Sequence, residues 1–237
     1  MNAPLTFRAA QYAALGDPHR LAIIDALTIG DHTPTQLANL TELPSNLLAF
    51  HLRVLSDAQI IRRVQSEGDK RRRYVTLHEL SPHTGREPSI TSDTPILFVC
   101  THNQARSQFA AALWRRHTGK QALSAGVKPA AAPDSKAVAV GLKYGLDATG
   151  WHTCGYSEVT TTPEVVISVC DRAYEAGVPF AASVHHWSVA DPAGQSSAQY
   201  EKAMRQIDRR ITRLLAINTL FSDDFDLTNP NLKPMLT

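Results

Sequence analysis

Cys100 and Arg106 stand six positions apart in PILFVCTHNQARSQ, residues 95–108, with Ser107 directly after the arginine. A cysteine thiolate is a nucleophile, and a guanidinium presents a planar fork of donors that suits two oxygens of a phosphate-like ion. The apolar run Ile96-Leu97-Phe98-Val99 predicts a buried strand that delivers Cys100 into a tight turn, with a helix opening at Ser107. Strand, C-x5-R-S, helix is one way to build an anion cradle. Backbone N–H groups of the turn and the helix N-terminus point at one spot, where positive potential favours the thiolate. The expected oxyanion-binding residues are Thr101, His102, Asn103, Gln104, Ala105, Arg106 and Ser107.

The elements that must position this turn alternate as an α/β fold does. Phe109, Leu113 and Trp114 mark the inner face of a helix to about 118; ALSAGV reads as a strand; SKAVAVGLKYG, ended by Gly145, reads as a helix. EVVISV, residues 164–169, suits a central parallel strand ending at Cys170, SVHHWSV is another strand, and 197–220 is a long closing helix with Ile207, Ile211, Leu214 and Leu215 inward. In an open parallel sheet the site lies beyond the carboxyl ends of the strands, where Cys100, Cys170 and Asp191 would gather.

The 95–108 stretch resembles the catalytic loop of low-molecular-weight tyrosine phosphatases and of the arsenate reductases that share their fold. The resemblance makes Asp191, in Asp191-Pro192, the general acid that protonates a departing oxygen. It gives Ser107 a hydrogen bond to the Cys100 sulfur and Asn103 the role of holding the loop's shape. His102 stands where phosphatase loops carry Gly, Ala105 replaces a cysteine common in relatives, and no aromatic rim for a phosphotyrosine ring is evident. Cys170 occupies the place of the first relay cysteine of thioredoxin-linked arsenate reductases. The second would fall in AYEAGVP, which has none; Cys154 in WHTCGYS is the alternative relay residue, and a small apolar core residue is the alternative reading of Cys170.

The N-terminal segment reads differently. Asp17-Pro18 opens a helix with Leu21, Ile24 and Leu27 on one face; a second helix covers 34–41 with Leu37 and Leu40 inward; Pro44-Ser45 starts a third with Leu48, Leu52 and Leu55. IIRRVQ and RRYVTL then form a hairpin through Ser66-Glu67-Gly68-Asp69. Three helices and a hairpin are the order of a winged helix-turn-helix. From Arg53 to Arg73 seven basic residues face three acidic ones, a net of +4. Lys70, Arg71, Arg72 and Arg73 are expected to hold phosphates, while Ser45, Asn46, His51 and Arg53 of the third helix face base edges. LGDPHRLAIIDAL and SNLLAFHLRVLSDAQIIRR resemble the ArsR family of dimeric bacterial repressors, which implies a homodimer on a double-stranded DNA operator. This segment has no cysteine, and its Asp31-His32 pair is too little for a metal site.

At 237 residues the chain has room for two modest domains, and 43% hydrophobic with 19% charged residues is ordinary for a globular protein. The expected division is a winged helix-turn-helix over 1–79, a linker over 80–94 rich in Ser, Thr, Pro and Gly, an open parallel α/β sheet of low-molecular-weight phosphatase type over 95–220, and a tail over 221–237. No run is long and apolar enough for a membrane span and no signal-peptide pattern is present, so a cytoplasmic location is expected. A formal charge of +2 implies no nucleic-acid partner by itself. Three cysteines give no even-numbered disulfide framework.

The expected function is a regulator fused to an arsenate reductase in arsenic resistance. Cys100, Arg106 and Asp191 are catalytic, with Cys170 as candidate second thiol. The expectation includes no bound cofactor, no metal, and an external thiol reductant, either mycothiol with a glutaredoxin-like partner or thioredoxin. Two alternatives remain: a tyrosine phosphatase fused to a DNA-binding domain, and a repressor whose C-terminal domain only binds arsenate or phosphate.

Overall fold

A computed structural model describes residues 5–78, 81 and 90–220. The N-terminal part contains α1 (Leu5–Leu15), α2 (Pro18–Ile29), α3 (Pro34–Thr41), α4 (Ser45–Asp57) and the antiparallel hairpin of β1 (Ile61–Gln65) and β2 (Arg73–Leu77). Asp17 caps α2, its carboxylate accepting the N–H groups of His19 and Arg20 at 3.0 Å each. Thr33 and Gln36 form a capping box on α3. Ile23, Ile24, Leu27, Leu37, Leu48, Leu52 and Leu55 share one core with Ile60, Ile61 and Val75. Leu21 and Leu40, expected inward, are instead 37% and 59% exposed. Helix α2 turns its Ile23–Ile24–Leu27 stripe inward, which rotates Leu21 off the core face. Helix α1 precedes the three helices expected from the sequence.

The second core belongs to a sheet of order β4-β3-β5-β6, every pair parallel: β3 (Ile96–Cys100), β4 (Leu123–Gly126), β5 (Val165–Ser168) and β6 (Ser183–His186). Helix α5 (Arg106–Thr118) follows β3, α6 (Ser135–Lys143) follows β4, the short α7 (Asp171–Ala176) follows β5, and α8 (Ser197–Leu220) closes the domain. Phe98, Phe109, Leu113, Trp114, Ile207, Ile211 and Leu214 are fully buried in this core, with Leu215 partly buried against it. Central β3 is buried along its whole length, which a strand covered on both faces requires. Ile90, on the expected linker, is also buried in this core; the rest of that linker up to residue 89, apart from Ser81, and the expected tail lie outside the described residues. Among the described residues no helix is long and apolar enough to cross a membrane.

The two parts are packed together through polar groups. Asp31 is 1% exposed; its carboxylate pairs with Arg210 of α8 at 2.7 Å and accepts the Ser188 N–H at 2.7 Å. The Trp187 indole N–H donates to Ile29 O at 2.8 Å, and Gln36 Nε2 donates to the Tyr174 hydroxyl at 2.7 Å. Buried His186 stacks on Tyr174 and lies tilted against Tyr74, with centroids at 4.4 and 4.6 Å. Asp31 is thus a strut between the two parts.

Candidate active site

Residues 101–105 run from the end of β3 into α5, and their conformation follows from where the carbonyls go. Val127 N–H donates to Cys100 O at 3.2 Å, Lys128 to Thr101 O at 2.8 Å, Ala130 to His102 O at 3.0 Å, Asp134 to Gln104 O at 2.9 Å, and Phe109 to Ala105 O at 2.8 Å. Gln108 Nε2 donates to Asn103 O at 3.1 Å. With its carbonyls tied to 127–134 and to α5, the loop leaves its N–H groups for the other side. The N–H groups of His102, Gln104, Ala105 and Arg106 meet no acceptor among the described residues, while that of Asn103 donates to Cys100 Sγ at 3.2 Å.

Asn103 has a φ of +50°, a left-handed conformation that Asn tolerates better than most residues. Its amide donates to Ser107 Oγ at 2.8 Å and Ser124 Oγ at 3.0 Å, and its Oδ1 accepts the Cys154 N–H at 2.8 Å. A side chain on Gly126 would meet Asn103 N at 2.9 Å, so β4 ends in glycine to let the loop approach. Cys100 Sγ lies 3.1 Å from Ser107 Oγ, within a site where Cys100, Asn103, Arg106 and Ser107 are all buried.

Arg106 is 3% exposed. Its Nη1 donates to Val189 O at 2.9 Å and lies 3.6 Å from Glu67 Oε2, while Nη2 pairs with Asp191 Oδ2 at 2.8 Å. Burial opposes its charge, but Cys170, Cys100, Asp191 and Glu67 together outweigh that and hold its pKa above the ordinary guanidinium value. Cys100, Arg106 and Asp191 are therefore one cluster, and Cys170 is its neighbour. Cys170 is 1% exposed, with Sγ 3.1 Å from the Thr101 hydroxyl of the loop. Cys154 serves the loop through its backbone. Its thiol is directed at Gly155 O, 3.4 Å away, and burial and Glu158 push its pKa up, opposite to what a relay nucleophile needs. All three cysteines are free thiols.

The expected DNA-facing residues divide. Ser45, Asn46, Arg53, Lys70, Arg71, Arg72 and Arg73 are exposed, and Arg71 pairs with Asp69 at 3.0 Å. His51 is 4% exposed and cannot reach bases, a correction to the sequence reading. Its position, between Leu48 and Leu52 on the 3.6-residue repeat, turns it inward, where it stacks on His19 at 5.4 Å. Asp17, His19 and His51 offer ligand atoms within 4.8 Å of one another, but Asp17 Oδ1 is already spent capping α2. Sequence reasoning missed Glu67, a wing residue at the mouth of the anion loop. Nothing local marks it, because its partners lie more than 30 residues away along the chain.

Residues 95–223 match the family model described as low molecular weight phosphotyrosine protein phosphatase, and residues 15–64 match a helix-turn-helix domain. Arsenate reductase 2 of Staphylococcus saprophyticus is 27% identical over 122 residues, which cover 49% of this chain and 92% of that protein. An arsenate reductase of Bacillus cereus is 27% identical over 123 residues, 50% of this chain and 91% of that protein. The crystal structure of an arsenate reductase from Archaeoglobus fulgidus has 29% identity and a TM-score of 0.46, covering 51% of this chain and 98% of its own.

Proposed function

Because the chain belongs to the low molecular weight phosphotyrosine protein phosphatase family, fused to a helix-turn-helix DNA-binding domain, we propose that it reduces arsenate and regulates transcription in arsenic resistance. The loop amides and Arg106 hold arsenate. Cys100 Sγ attacks arsenic, forming the S–As bond, and an oxygen departs with a proton from Asp191. A second thiol then attacks Cys100 sulfur. The S–As electron pair stays on arsenic, which leaves as arsenite, and Cys100 becomes a disulfide. The two electrons come from the two thiols. The observation that carries this reading is the convergence of Cys100 and Asp191 on Arg106 at a loop whose N–H groups are left open. Similarity to two arsenate reductases at 27% identity favours arsenate over a phosphate ester as the substrate.

An external small thiol of the mycothiol type is our choice for the second nucleophile, because Cys170 has no following cysteine to complete an internal relay. The wing and α4 would bind a double-stranded operator as a homodimer. The test is arsenite release with mycothiol and a glutaredoxin-like partner, with thioredoxin, and with no thiol, beside hydrolysis of an aryl phosphate. Arsenite release that requires thiol, and persists with mycothiol in Cys170→Ser, is the expected result. Thiol-independent release of phosphate from the aryl ester without arsenite would establish the phosphatase reading instead.

A further inference from the structure

The turn of the DNA-binding wing, Ser66 to Asp69, is seated on the catalytic domain. Ser66 Oγ and Asp69 N–H donate to the Glu175 carboxylate, each at 2.7 Å, and the Tyr74 hydroxyl donates to it at 3.0 Å. Glu67 N–H donates to Asp171 Oδ2 at 2.8 Å, and Arg172 Nε donates to Glu67 O at 3.4 Å. Gly68 lies so close that a Cβ there would fall 2.2 Å from Glu175 Oε2. This seat aims one side chain at the reaction centre. Both carboxylate oxygens of Glu67 accept the Asp191 N–H at 3.1 Å, and Oε2 lies 3.6 Å from Arg106 Nη1. The Glu67 side chain is 31% exposed, so it has a path back to water.

We propose that Glu67 is an internal carboxylate ligand of the oxyanion site, and that an oxyanion filling the loop drives the wing tip from its seat. The inference rests on the reading that the 101–106 loop holds a tetrahedral oxyanion. Arg106 is the shared group. A dianion in the loop claims the guanidinium and places like charge beside Glu67, which then has only the Asp191 N–H to hold it. The wing thereby senses occupancy of a site that belongs to the other domain, and by linkage whatever holds the wing elsewhere changes oxyanion affinity by the same factor.

The experiment uses the full chain and inorganic phosphate, which binds without turnover. Calorimetric titration should show Glu67→Gln binding phosphate about fivefold or more tightly than wild type. Hydrogen exchange on the wild type should show faster exchange at the Glu67 and Asp69 amides when phosphate is saturating, which tests the seat without any variant. Equal or weaker phosphate binding in Glu67→Gln, absence of binding in both proteins, or unchanged exchange at the two amides overturns the proposal. None of these readings depends on arsenate reduction, so a protein that gates phosphate but makes no arsenite refutes the activity alone.

Discussion

Two turns in this molecule present backbone N–H groups to negative charge, and they differ in where that charge comes from. The 101–105 loop ties its carbonyls to 127–134 and to α5, and leaves most of its N–H groups without an acceptor among the described residues. The wing turn satisfies its N–H groups with carboxylates of the chain itself, Asp171 for Glu67 and Glu175 for Asp69. The first is therefore open to a ligand, and the second joins the two domains. Arg106 stands where they meet, paired with Asp191 and close to Glu67.

The contrast breaks most completely at the nucleophile. Cys100→Ser should reduce arsenite production below detection, since a hydroxyl is far less acidic than a thiol and a poor nucleophile there. Phosphate binding should survive, because Arg106 and the loop amides do not depend on the sulfur. Retained steady-state arsenite production would rule out the chemistry.

Folding stability should fall in acid. Burial first, and then the charge of nearby His32, lowers the pKa of His185 to about 4, and burial likewise lowers that of His32. The unfolded chain thus binds more protons than the folded one below about pH 6.5, and the stability contributed is full above that pH and falls as pH drops towards about 4. From pH 7 to pH 5 His185 alone should cost about 2 kcal/mol. Urea midpoints at the two pH values should show this loss in wild type and a smaller one in His185→Gln; equal losses would remove the histidine from the account.

The smallest effect concerns the outer side of the wing, where Arg71, Arg72 and Arg73 are exposed. Replacing all three with Ala should weaken DNA binding across sequences, and each lost phosphate contact should lower the log–log salt slope by about 0.9. A titration series at several salt concentrations checks it. An unchanged slope would leave the wing with its joint and no role on DNA.

The difference between the turns also explains what the sequence made legible. The C-x5-R-S loop is specified within fourteen residues, by an apolar strand, a nucleophile, an arginine and a helix start, and the two central strands β3 and β5 follow from apolar runs, whereas β4 (LSAG) and β6 (SVHH) are only partly apolar. His51 is polar, which suggests an outward side chain, but the Leu48, Leu52 and Leu55 spacing puts it on the buried face of α4. Leu40 faces outward because α3 is only eight residues long and buries Leu37 alone. The wing's seat was not legible at all. Glu67, Asp171, Glu175 and Asp191 come together only after two separately patterned domains have packed, and a hairpin with basic residues carries no local sign that its tip is acidic for a reason.

Mass spectrometry of the protein quenched during turnover of arsenate with mycothiol identifies the thiol that attacks Cys100. The expected result is a mixed disulfide of mycothiol on Cys100, with Cys154 and Cys170 still free thiols. A Cys100 that stays unmodified while arsenite accumulates would contradict it.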